Sequence, residues 1–81
     1  MMIEVHLFAR ARDLAGSQRV VVPLPEKATV RDLRRQLAEL VPNLAPLLGR
    51  SALAVDNELV DDDLLLSPDA EVALLPPVSG G

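Results

Sequence analysis

The chain has 81 residues, with 8 basic and 12 acidic side chains and a formal net charge of −4. That length supports one small domain and leaves no room for a cleft between two cores. Hydrophobic residues make up 49 % and charged residues 25 %, a mixture that excludes intrinsic disorder. A single Phe, with no Trp or Tyr, makes the core aliphatic. The acidic balance, unrelieved by any basic stripe, argues against a nucleic-acid partner. Cysteine is absent, which excludes disulfides, thiolate metal sites and a cysteine nucleophile or persulfide carrier. The opening Met1 to His6 lacks the basic flank and apolar run of a signal peptide, and no stretch approaches the roughly 18 apolar residues that span a bilayer. A soluble, cytoplasmic protein without a membrane partner is expected.

Met2 to Phe8 alternates. Ile3, Val5 and Leu7 share one face and Glu4, His6 and Phe8 the other, the period of a half-buried strand. Ala9 to Gly16 predicts one or two helical turns closed by a glycine cap. Valine-rich Arg19 to Leu24, ending at Pro23 and Pro25, predicts a second strand leaving its sheet, so the chain opens with a hairpin. Thr29 caps the clearest element, with Asp32 placed to reach back to it. Val30, Leu33, Leu37 and Leu40 or Val41 form its apolar stripe, with Arg31, Arg34, Arg35 and Glu39 opposite, and Pro42 ends it. Asn43 to Gly49 predicts a short helical turn.

Ala52 to Val55, then Asp56-Asn57-Glu58, then Leu59-Val60 predicts strand, turn and strand. Asp61 to Asp63 is a polar loop, after which Leu64 to Leu66 is expected to return to the core. Ser67 to Ala70 is a turn, and Glu71 to Leu75 alternates again with Val72 and Leu74 inward. One helix on one mixed sheet, in this order, is an α+β fold of the β-grasp arrangement also seen in ubiquitin. The domain is expected to span 1–75, with 76–81 as an extended tail.

Most catalytic arrangements are missing from the chain. His6, the one histidine, has no Ser-His-Asp spacing and is expected to face solvent or a partner. Asp61 to Asp63 lacks the alternating ligands and glycine of a calcium loop. Gly49-Arg50-Ser51 is too short for a phosphate loop. The end of the chain is different. Pro76 and Pro77 end the last strand and stiffen the chain toward polyproline II, so six residues at ~3 Å each reach roughly 18 Å beyond the sheet. Gly80 and Gly81 have no side chains and can thread a channel closed to other residues.

The sequence resembles the small-subunit sulfur carriers of molybdopterin synthase, the MoaD family, over nearly its whole length. Val5 to Gly16 and Leu53 to Val60 carry the likeness, and Glu71 to Gly81, ending Pro-Pro-Val-Ser-Gly-Gly, carries it most specifically. Ala70 departs from a turn in which the family often has Gly. The resemblance implies that an ATP-dependent adenylating enzyme activates the Gly81 carboxylate, because a free carboxylate is a poor electrophile. A sulfur donor then displaces AMP and leaves a thiocarboxylate on Gly81, which donates sulfur to the cyclic pyranopterin precursor inside the large synthase subunit. Pro76, Pro77, Val78, Ser79 and Gly80 would occupy the partner's channel. The assembly expected is two small and two large chains, with no permanent cofactor and no metal. The small chain has no independent enzymatic activity.

Parity places Phe8 and Leu75 on the outer sheet face and, with the first and last strands adjacent, side by side; they and Leu59 are the expected partner-facing residues. Asp61 to Asp63 and Glu71 are expected near the tail-bearing end, where they would speed encounter with basic surfaces. Three other readings stay open: sulfur delivery to thiazole, cysteine or a tRNA base; a ubiquitin-like modifier joined through Gly81 to a lysine; and a β-grasp interaction module without terminal chemistry.

Overall fold

A computed structural model describes residues 1–75. The first alternating run forms β1 (Met2–Leu7), which pairs antiparallel with β2 (Arg19–Pro23) from Met2 opposite Pro23 to His6 opposite Arg19. Between them lies α1 (Ala9–Ala15), closed by Gly16 at φ +69°, whose N–H donates to the Arg12 carbonyl at 2.9 Å. This is the expected glycine cap. Strand β1 stops one residue earlier than the alternation suggests, because Phe8 turns the chain and becomes the N-cap of α1. Ala9 follows at φ +51°, a left-handed conformation that a methyl-bearing residue rarely adopts.

Helix α2 (Val30–Leu40) begins in a capping box. The Asp32 N–H donates to Thr29 Oγ1 at 3.3 Å, and the Thr29 N–H donates to Asp32 Oδ2 at 2.9 Å. The other early amides also find acceptors. Val30 N–H donates to the Leu64 carbonyl and Arg31 N–H to that of Asp62, both at 3.0 Å. All the orphan donors of the first turn are thus satisfied. The extended 62–66 segment lies along the start of α2 for this reason, and Leu66 N–H donates to Ala28 at 2.9 Å. Of the three leucines expected to return to the core, only Leu66 is buried. Leu64 and Leu65 are exposed, because their segment is held by its backbone. Val30, Leu33 and Leu37 are fully buried, and Val41 rather than Leu40 completes the stripe.

Pro42 starts a single 3-10 turn (Pro42–Leu44) that runs into α3 (Ala45–Leu48). Then come β3 (Ala52–Val55), β4 (Glu58–Leu59) and β5 (Glu71–Leu75). The β3–β4 turn has Asp56 at φ +51° and Asn57 at φ +71°, the left-handed pair that a tight hairpin requires. The sheet order is β2-β1-β5-β3-β4, with β1 and β5 parallel at its centre. This is the mixed five-stranded sheet of a β-grasp fold, with α2 as its main packed helix. Ala70 keeps a negative φ and is buried, so no glycine is needed in the turn before β5.

Arg34 departs from expectation. Its position opposite the apolar stripe predicts a solvated side chain, yet that side chain is only 21 % exposed. Its guanidinium donates to the carbonyls of Leu48 and Ser51 and, at 2.9 Å, to Asp62 Oδ1. The contact joins α2 to the end of α3, the start of β3 and the acidic loop. Asp62 and Asp63 are therefore not free loop charges: Arg31 pairs with Asp63 at 2.8 Å.

Candidate functional site

One face of the sheet packs on the helices, and the other is open. Register determines which residues the open face presents. Leu7 stands opposite Leu74 in the parallel pair, and Phe8 and Leu75 follow directly on these two residues. Ala52 pairs with Leu75 from the other side. The next outward-facing row runs Arg19, His6, Ala73, Ala54 and Leu59 across all five strands. Phe8 is 47 % and Leu59 70 % exposed, while Leu75 is half-buried. Between β5 and β4 the floor is Ala52, Ala54 and Ala73. Leu59 therefore stands two strand spacings, about 10 Å, from β5 across a floor of small side chains.

The result is a shallow apolar saddle with Phe8 on one rim and Leu59 on the other. β5 ends at Leu75, in a strand that lies between the two rims. The three partner-facing residues expected from the sequence thus lie on one face, with Phe8 just past the end of β1 and Leu75 at the end of the adjacent β5. The tail residues Pro76, Pro77, Val78, Ser79, Gly80 and Gly81 lie outside the described residues.

The charges around the saddle do not follow expectation. Glu71 begins β5 and Leu75 ends it, so Glu71 lies about 13 Å from the point where the tail leaves. Its N–H donates to Asp56 Oδ1 at 3.1 Å, at the far end of the sheet. Of the acids named, Asp61 is the exposed one near the exit, since Val60 N–H donates to Leu53 and Asp61 follows alongside Ala52. The opposite flank is basic. A cleft of about 380 Å³ opens beside Phe8, lined by His6, Leu7, Phe8, Arg12, Gln18 and Arg19. Alternation identified His6 and Phe8 as outward-facing, but nothing local in the sequence joins Arg12 and Gln18 to them. The α1 turn and the β1–β2 register bring them together.

Among the described residues no cluster of His, Asp or Glu is arranged to hold a metal ion, and no helix is long and apolar enough to cross a membrane.

Fold and face together define a ubiquitin-like β-grasp protein whose strand β5 ends beside an exposed apolar surface. The chain belongs to the ThiS family, whose model matches residues 5–81. It is 33 % identical over 81 residues to the molybdopterin synthase sulfur carrier subunit of Dictyostelium discoideum, covering 96 % of this chain and 94 % of that one. Among solved structures it resembles SAMP1 from Haloferax volcanii, with a TM-score of 0.87, 29 % identity and complete coverage of both chains. It also resembles a chain in the protein–protein complex of subunits 1 and 2 of the molybdopterin-converting factor from Helicobacter pylori, with a TM-score of 0.71, 27 % identity and complete coverage of both.

Proposed function

We propose that this chain is the sulfur-carrying small subunit of a molybdopterin synthase. An adenylating enzyme joins the Gly81 carboxylate to the α-phosphate of ATP and releases pyrophosphate. A sulfur donor then attacks the activated carbonyl, AMP leaves, and Gly81 becomes a thiocarboxylate. The thiocarboxylate sulfur bonds to a carbon of the cyclic pyranopterin monophosphate inside the large subunit; water then cleaves the acyl–sulfur bond, leaving the sulfur on the growing dithiolene and regenerating the Gly81 carboxylate. Neither a metal nor a permanent cofactor is required of this chain. ATP belongs to the adenylating partner, and the sulfur travels covalently.

The observation that carries the reading is the position of Leu75 between Phe8 and Leu59. β5 ends at that point, and the sequence beyond it runs to Gly80-Gly81. The relatives named as sulfur carrier subunits support the same reading, and the Helicobacter complex supports a large-subunit partner. Two small and two large chains, working in the cytoplasm, complete the proposal. The test is intact-mass spectrometry after incubation with the adenylating enzyme, ATP and a sulfur donor. Exchange of one carboxylate oxygen for sulfur is the expected product.

The likeness to SAMP1 favours one further reading, a modifier joined through Gly81 to a lysine of another protein. The same spectrum separates the two, since a conjugate gains the mass of a whole protein.

A further inference from the structure

The cleft beside Phe8 has more positive charge than the described residues neutralise. Arg19 lies 3.4 Å from Glu4 Oε1, and His6 Nε2 lies 3.3 Å from the same oxygen. One carboxylate therefore serves both side chains. Arg12, on the last turn of α1, has no ion pair among the described residues, whereas Arg31, Arg34 and Arg35 on α2 all face acids. Gln18 adds an amide to the lining, and Leu7 and Phe8 supply apolar walls.

We infer that this cleft receives an Asp or Glu side chain of the protein that covers the sheet, and that Arg12 and Arg19 hold it. The inference rests on the proposed docking face. A partner seated on Phe8 and Leu75 also covers the mouth of the cleft. Withdrawing a guanidinium from water without a counter-charge is strongly unfavourable, so a tight partner supplies an acid there. A carboxylate suits the site, because guanidinium groups bind it through paired N–H donors. The phosphates of ATP do not suit it, because they react at Gly81, six residues beyond Leu75 in the sequence. On the opposite flank stands Asp61, two residues beyond Leu59 and exposed. The saddle is thus basic on the β1–β2 side and acidic on the β3–β4 side. That polarity fixes the direction in which a partner sits and hence the direction in which the tail enters it.

The test is the affinity of the full chain for the purified large subunit of molybdopterin synthase from the same organism, at about 50 mM and about 300 mM salt. Arg12→Glu is expected to weaken binding about tenfold or more at the lower salt, with a smaller deficit at the higher. Arg10→Glu, on the same helix but outside the cleft, should cost less than Arg12→Glu. Changing the facing acid of the large subunit to arginine should restore binding to Arg12→Glu. If Arg12→Glu binds within about twofold of the wild type at low salt while Phe8→Asp is weakened roughly 30-fold, the carboxylate assignment is wrong and the docking face stands. If both variants bind normally, the docking face is wrong and the assignment falls with it.

Discussion

Phe8 and Leu75 each follow directly on the paired Leu7 and Leu74 of the adjacent parallel strands β1 and β5, on the face away from the helices. Neither belongs to the buried core, yet each lies next to a residue that does, for Leu7 and Leu74 are both buried. Alternation turns a one-residue difference into the difference between stability and recognition. Phe8→Asp and Leu59→Asp should therefore each weaken large-subunit binding by about 2 kcal/mol, roughly 30-fold, as removal of a central apolar anchor does. The unfolding midpoint should remain near that of the wild type. Calorimetric titration beside a urea melt checks both halves.

The capping box makes a prediction about stability and pH. Thr29→Ala should cost about 1 kcal/mol and lower the melting temperature by roughly 4–8 °C. Hydrogen bonds from the Thr29 backbone and side chain hold the Asp32 carboxyl below its ordinary range. A carboxyl whose folded pKa is depressed contributes stability above its unfolded pKa of about 4 and loses it as pH falls through the folded value. Wild-type stability should thus decline below about pH 4 more steeply than that of Asp32→Asn. Urea melts from neutral pH downward measure the difference.

Arg34→Ala removes the donors of two carbonyls and of Asp62 together. Charge-assisted bonds in a partly buried setting make this a loss of about 2 kcal/mol. Lysine cannot reach all three acceptors with the geometry of a planar guanidinium, so Arg34→Lys should recover only part of it. Ser51 leads into Ala52, which pairs with Leu75. The amide signals of β3 and Leu75 should consequently shift in an NMR spectrum of Arg34→Ala, and those of β2 should not.

The strands, α2 with its cap and the glycine end of α1 were legible because each rests on local periodicity or a capping residue, whereas the adjacency of first and last strands followed from the β-grasp order of the elements. The outward placement of Phe8 and Leu75 was legible from the same alternation. Arg34 was not. Helical spacing shows only that it lies off the apolar stripe, while its acceptors at Leu48, Ser51 and Asp62 lie 14, 17 and 28 positions away. The exposure of Leu64 and Leu65 was hidden for a related reason, since apolar composition suggests burial while the backbone bonds to α2 hold the segment in place. Glu71 was placed near the tail by its closeness in sequence, but a five-residue strand carries the chain across the sheet. The cleft of Arg12 and Arg19 depends on strand register, which no short window contains.

A bulky residue at position 80 should leave the fold and the sheet-mediated contact intact while weakening engagement of the large subunit, because a channel that admits glycine excludes a larger side chain. Gly80→Phe should therefore melt like the wild type, bind less tightly and transfer sulfur slowly. Appending one residue after Gly81 should stop transfer as well, since the carboxylate that must be activated then belongs to a different residue. Binding and turnover measured on the same preparations separate the two effects.

The most direct test of the carrier role is formation of the dithiolene product by purified large subunit, adenylating enzyme, ATP, sulfur donor and this chain, with and without Gly81. The full chain should support product formation, and the chain lacking Gly81 should give none while melting at nearly the same temperature. Normal delivery of sulfur by the shortened chain would contradict the account.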